Sequence, residues 1–222
     1  MFPLRDDQPK YSPSTVVILL ILANALVFFY EISLDEYSRN FLIMRYGLVP
    51  AHFRASELIT SMFLHGGWAH IFGNMLFLWA FGRSLENIMG HGKFLLFYLL
   101  SGIAAGLVQD FFNVGSHVPT VGASGAIAGV MGAYLIKFPR ARIDTLVFFI
   151  FIARIDIPAV FMLLYWFGTQ LVSGFGAIAY SHLSQGGGTA WFAHIGGFLA
   201  GMILVSFLGA DNAQWQRRRV SW

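Results

Sequence analysis

Val121-Gly-Ala-Ser124-Gly-Ala-Ile-Ala-Gly-Val-Met-Gly-Ala-Tyr-Leu-Ile-Lys137 is the stretch on which the reading of this chain turns. It carries no charge before Lys137 and is rich in small residues, and its length approaches the roughly 20 residues that cross a bilayer. One serine, Ser124, sits near its start. Polar side chains are expensive in hydrocarbon, so their default reading is functional. Two other apolar runs share the pattern: one holds His70 with Asn74, the other His194 in Ala193-His194-Ile195-Gly196-Gly197. A nucleophile, a base and an amide donor are the parts that peptide-bond hydrolysis requires.

Composition agrees with a membrane setting. Hydrophobic residues make up 57% of the 222 and charged residues 11%, where a soluble domain carries roughly 25% charged residues. Mean hydropathy is +0.65. So few charges could not cover the surface of a soluble protein of this length, so lipid must solvate most of it. The expectation is a polytopic, all-α membrane protein of one domain. There is no cysteine, hence no disulfide framework and no thiolate chemistry. The pI near 9.3 does not point to nucleic acid, because the cations are distributed by topology.

Six apolar runs qualify as spans: about 14–32, 66–85, 93–112, 121–137, 157–175 and 190–209. The first lacks a small-residue cleavage site and reads as a retained span, not a cleaved signal peptide. Residues 145–153 are too short to cross and run into Arg154, Asp156 and Pro158, so they read as an interfacial or re-entrant segment. Residues 58–64 read as an amphipathic piece of a long first loop, 33–65. The domain is thus expected over 14–209, between an N-terminal tail, 1–13, and a basic C-terminal tail, 210–222.

Lysine and arginine give the orientation. Both tails and the loops after spans two and four hold eleven of the fourteen cations; only Arg39, Arg45 and Arg54 fall on the other side. The positive-inside rule places both termini in the cytoplasm, a bacterial-type plasma membrane being the expected setting. The Arg217–Arg219 run reads as a topology signal. Spans two, four and six then begin at the outer face, with His70, Ser124 and His194 each about four residues in. At 1.5 Å per residue that is roughly 6 Å below the boundary for all three. The orientation follows from lysine and arginine alone, and it brings these three residues to one level.

A serine hydroxyl needs a base, and histidine, with an ordinary pKa near 6.5, is neutral enough to accept its proton. Small residues at Gly125, Gly129 and Gly132 in span four, and at Ala193, Gly197 and Gly201 in span six, form faces on which two helices approach closely in lipid. His70 and Asn74, spaced i, i+4, share a helical face and can donate to a developing oxyanion together with the Ser124 amide. Interhelical packing alone is the plain alternative for the glycines and for Asn74. His65 and Gly66-Gly67 are read as shaping the entry of the loop into the membrane. No carboxylate is placed to orient His194; Asp110, near the end of span three, suits capping or water exposure better than a third catalytic role. The expectation is a Ser124–His194 dyad with no cofactor. Zinc lacks an HExxH pair, the aspartyl route lacks facing aspartates, and the serine lacks the GxSxG elbow of an α/β-hydrolase.

These motifs resemble the rhomboid family of intramembrane serine proteases over nearly the whole chain: His70-Ile-Phe-Gly-Asn74, Gly122-Ala-Ser124-Gly125, and Ala193-His194-Ile-Gly-Gly197-Phe-Leu-Ala-Gly201. Gly82 and Glu86 also look like the family's pattern. The resemblance implies a six-helix bundle with Ser124 as nucleophile and His194 as general base, and with His70, Asn74 and the Ser124 amide as the oxyanion hole. It also implies that movement of span five, or of the loop 176–189, admits a substrate's transmembrane helix. Cleavage is then expected near the outer end of that helix, where small or helix-breaking residues let it unwind. Two positions depart from the family. Ala128 stands where many members carry an aromatic residue stacked on the histidine, and Ser56-Glu57 replaces a Trp-Arg pair of the first outer loop. A non-catalytic rhomboid-like binder of membrane proteins ranks second, and a small transporter third. The expected partners are transmembrane proteins and the bilayer, and nothing in the sequence specifies an oligomeric state.

Overall fold

Each apolar run read as a span contains a helix in the computed structural model, which describes residues 1–148, 152–179 and 190–209. A short strand, β1 (Phe2–Asp6), precedes α1 (Thr15–Ser33) and α2 (Glu36–Tyr46). A 3₁₀ turn at Pro50–His52, the one-turn α3 (Glu57–Thr60) and a second 3₁₀ turn at Ser61–Phe63 lead to the second apolar run. That run is continuous helix in three parts: α4 (Trp68–Phe77), a π-helical turn at Leu78–Gly82, and α5 (Arg83–Met89). There follow α6 (His91–Phe112), α7 (Ser124–Lys137), β2 (Arg142–Phe148), β3 (Ile152–Pro158), α8 (Ala159–Ala179) and α9 (Trp191–Leu208). Among the described residues three helices, α1, α6 and α9, are long and apolar enough to cross a membrane; α7 and residues Ala159–Gly174 of α8 are shorter apolar helices.

The apolar residues divide as lipid solvation requires. Leu26, Phe29, Phe161, Val172, Ile203 and Phe207 are exposed on the helix surfaces, whereas Phe81, Phe94, Phe97, Tyr98, Tyr134 and Phe198 are fully buried between helices. Around this core α7 is almost wholly enclosed, every residue from Gly125 to Tyr134 being buried. Its small side chains permit that enclosure. A Cβ added at Gly201 would lie 2.0 Å from the Gly129 carbonyl oxygen, and one at Gly197 would lie 2.0 Å from that of Gly125. The α7 and α9 backbones are therefore in direct contact, the close approach that small residues allow in lipid.

The fold departs from all-α at one end. The described part of 145–153, expected as an interfacial or re-entrant segment, belongs to two antiparallel strands, Arg142–Phe148 and Ile152–Pro158, and β1 pairs with the first of them in the order β1-β2-β3. β-Branched residues such as Ile143, Thr145, Val147, Ile155 and Ile157 favour a pleated, half-buried surface. A run too short to span can satisfy its backbone groups in a sheet instead. Ile143 and Thr145 are fully buried, and the Asp144 carboxylate accepts from Arg154 Nε at 2.6 Å and from Arg5 Nε at 3.1 Å.

The N-terminal segment, expected as a tail, is thus tied into the protein. Its Asp6 carboxylate accepts hydrogen bonds from Lys10, from Ser84 and from the Tyr134 hydroxyl of α7, the last at 2.7 Å. Asn87 Oδ1 accepts from the Tyr11 and Ser12 amides at 2.9 and 3.1 Å. Glu86 accepts from the Val16 and Val17 amides at 2.8 and 2.9 Å. Those are first-turn amides of α1, which have no intrahelical partner, and a carboxylate there also meets the positive end of the helix dipole. Residues 210–222 and most of the loop 176–189 lie outside the described residues.

Candidate active site

Ser124 is the first residue of α7, so its amide is one of the donors that a helix start leaves free. His194 sits in the first turn of α9, and His70 in the first turn of α4. The contact of α7 with α9 brings the first two together: the Ser124 hydroxyl lies 2.8 Å from His194 Nε2. Ser124 is half-buried and His194 is buried. The other ring nitrogen, Nδ1, is 2.7 Å from Gln170 Oε1 on α8. A carbonyl oxygen can only accept, so Nδ1 carries the proton of the neutral ring and Nε2 is left to accept from the serine.

Tryptophans flank the same imidazole. The Trp166 ring, one turn before Gln170 on α8, is tilted against it at 5.6 Å, and Trp191 meets it edge-on at 6.3 Å. Ala128 is fully buried in α7; the aromatic neighbours of His194 come from α8 and α9 instead. Asp110 is not its partner, since both ring nitrogens are engaged elsewhere. The neighbouring Gln109 accepts the Ala193 amide at 3.1 Å, one of the unpaired donors that open α9.

His70 and Asn74 converge on Gly122, two residues before the serine. A Cβ at Gly122 would stand 2.6 Å from His70 Nε2 and 3.4 Å from Asn74 Nδ2, and the backbone there has φ +118°. Only glycine accepts that conformation without strain. The Gly66 amide donates to His70 Nδ1 at 3.3 Å, which leaves the proton of the neutral ring on Nε2, on the Gly122 side. Asn74 Nδ2 donates one hydrogen to His65 Nε2 at 2.9 Å, and His65 Nδ1 faces the Phe63 carbonyl at 3.3 Å. The second Asn74 N–H remains for another acceptor. The His65 amide in turn donates to the buried Glu31 carboxylate at 3.1 Å.

No sequence motif marks Gln109 or Gln170, Glu31 reads only as one of the acids that offset the cations of the first loop, and His65 only as a loop residue. A polar residue closing an apolar run was the available signal for Glu31 and Gln109, and a lone amide within a run for Gln170. Glu57 has a role too: buried, it accepts from Arg54 Nε at 2.5 Å and from the Val49 amide at 3.4 Å, bonding the loop from within. Among the described residues no group of three or more His, Asp or Glu side chains is arranged to hold a metal ion.

The sequence profile of the Rhomboid domain matches residues 52–211. The chain belongs to the rhomboid family. It is an integral membrane protein, mostly helical, with the family's domain over most of its length. Rhomboid protease GluP of Bacillus subtilis is 33% identical over 163 residues, covering 71% of this chain and 27% of that protein. Rhomboid protein 1, mitochondrial, of Saccharomyces cerevisiae is 29% identical over 220 residues, covering 94% of this chain and 58% of its own length. Human presenilin-associated rhomboid-like protein, mitochondrial, is 37% identical over 90 residues, 40% of this chain and 24% of that one. The chain therefore spans less than two thirds of each of these relatives, and their names place this family in bacteria and mitochondria alike.

Proposed function

We propose that this rhomboid is an intramembrane serine endopeptidase that hydrolyses peptide bonds in or near transmembrane segments of other membrane proteins. The observation that carries the reading is the 2.8 Å hydrogen bond from Ser124 to His194 Nε2, made by a ring whose proton is held on Nδ1. His194 takes the hydroxyl proton as Ser124 Oγ attacks the scissile carbonyl, then gives it to the leaving amine. A water, activated by the same imidazole, releases the acyl group. The tetrahedral oxyanion accepts from His70 Nε2, Asn74 Nδ2 and the Ser124 amide. Gly125, Gly129, Gly197 and Gly201 serve this chemistry indirectly, as the contact that holds the nucleophile helix against the base helix.

The domain is assigned to 14–209 with six spans, and both termini to the side rich in lysine and arginine, the cytoplasmic face of a bacterial-type plasma membrane. The site then opens to the opposite side, roughly 6 Å below the boundary. A substrate helix must unwind there, because a helical peptide bond is hydrogen-bonded and shielded. A non-catalytic binder would need this pocket to be misassembled, and a bonded serine–histidine pair with two donors beside it argues against that.

The test is cleavage of a reporter transmembrane segment by the full chain in proteoliposomes, wild type beside Ser124→Ala and His194→Ala. Loss of cleavage in both variants is the expected result. Turnover retained in Ser124→Ala, or a folded wild type inert toward several helix-destabilised reporters, would overturn the reading.

A further inference from the structure

A serine–histidine dyad leaves the second ring nitrogen of the base without an assigned partner, and here that nitrogen is occupied. Gln170 is buried, and its amide is oriented by its own helix: Nε2 donates to the Trp166 carbonyl at 3.3 Å and to the Thr169 hydroxyl oxygen at 3.1 Å. The Thr169 hydroxyl is itself committed as a donor to the Trp166 carbonyl at 2.6 Å, so it accepts from the amide. With Nε2 spent on those two acceptors, Oε1 is the end turned to His194, at 2.7 Å from Nδ1. The opposite amide orientation would set an oxygen against the Trp166 carbonyl, two acceptors facing each other.

We infer that Gln170 is a positioning residue for the base: it holds His194 as the Nδ1–H tautomer, with Nε2 bare and aimed at Ser124. The inference rests on the protease reading of Ser124 and His194. A neutral imidazole with its proton on Nε2 would meet the serine donor to donor and could not accept its proton. The role is the one an aspartate fills in a Ser-His-Asp triad, performed by a neutral amide. A carboxylate there would carry a desolvation cost, which falls on stability and is read by the thermal midpoint separately from the rate. Trp166 adds to the same support, its ring tilted against the imidazole from the turn that also anchors the Gln170 amide. The imidazole is thus held between two helices, α7 supplying the nucleophile and α8 the orienting oxygen.

The plain alternative is that Gln170 only ties α8 to α9, and the two roles separate in kinetics. The full chain in proteoliposomes is compared with Gln170→Met, which keeps length without an amide oxygen, and with Gln170→Glu, which keeps an oxygen at that length. The readouts are kcat and KM on the reporter, the rate of Ser124 modification by a fluorophosphonate, and the thermal midpoint. Gln170→Met should lower kcat and the modification rate about tenfold, the worth of one buried hydrogen bond at the base, with KM little changed. Gln170→Glu should recover most of the rate. Equal rates in wild type and Gln170→Met overturn the inference, as does a loss that falls on KM alone or one that Glu does not relieve.

One measurement needs no variant: the ¹⁵N spectrum of the wild-type His194 ring should show a protonated Nδ1 and a bare Nε2, and a protonated Nε2 with a bare Nδ1 overturns the inference. A folded wild type that the fluorophosphonate does not modify, or one modified equally fast after His194→Ala, overturns the protease reading beneath it instead.

Discussion

The Ser124 end of the bundle and the sheet end both bury polar groups among apolar helices, with different chemistry. At the Ser124 end the side chains that bond to one another around the site are a hydroxyl, imidazoles and amides, joined as Gln170–His194–Ser124 and Asn74–His65, with one carboxylate, Glu31, behind them on the His65 amide. At the sheet end they are mostly charged: Asp6 with Lys10, Asp144 with Arg154 and Arg5, and Glu86 with His91. A neutral group can be held in a low-dielectric site and still exchange a proton, whereas an ion there must be paired and hydrogen-bonded throughout. The contrast teaches a division of labour. On the proposed reading, hydrogen bonds at the first end position the reacting atoms, and those at the second fix where strands and helices begin.

Substitutions can break that division. Ser124→Ala should lower the cleavage rate by about 10⁴-fold or more while leaving the thermal midpoint near wild type, because one small side chain replaces another. A large loss of stability would mean that the serine is part of the framework. Glu86→Ala should do the reverse. It strips the first-turn amides of α1 of their acceptor and costs about 3 kcal/mol of stability, measured by thermal or denaturant unfolding in detergent. The protein that remains folded should keep its kcat.

Asn74→Ala lies between these extremes. Loss of one oxyanion donor should lower kcat by roughly 10- to 100-fold with little change in KM; a defect in KM alone would assign Asn74 to the framework with His65. The smallest effect belongs to Asp144. The Arg154 side chain first, and Arg5 after it, hold its carboxyl below the ordinary value of 3.8. A folded-state pKa below the unfolded one contributes stability that is complete above the unfolded value and lost as the pH falls through the folded one. Acid unfolding curves should therefore show a step below pH 3.8 in wild type that Asp144→Asn lacks, with cleavage at neutral pH unaffected.

Much of this molecule was legible in the order of its residues. The helices of the six apolar runs followed from their lack of charge, whereas α2, Glu36–Tyr46 with three charged side chains, falls in the stretch 33–65 that reads as loop. The residues brought together around Ser124 lay in short motifs whose spacing on a helix is fixed. What escaped depended on distance along the chain. Strand β2 takes Phe2–Asp6 as its neighbour from about 140 residues away, so the apolar run at 145–153 has no visible partner in the sequence and reads as an interfacial or re-entrant segment. Gln170 likewise gains meaning only from a histidine 24 residues on, across a loop whose path no local rule supplies. Glu31 looked like one more loop acid until the His65 amide was found against it. Local periodicity reports which face of an element is apolar; it is silent on which polar group of another element will meet it.

On the proposed reading Ser124 is a nucleophile activated by His194. The direct measurement is to treat the folded full chain with a fluorophosphonate and locate the modified residue by peptide mass spectrometry, in wild type and in His194→Ala. The account predicts a single adduct on Ser124 that disappears when His194 is removed. An adduct on another residue, or one on Ser124 that forms as readily without the histidine, would contradict it.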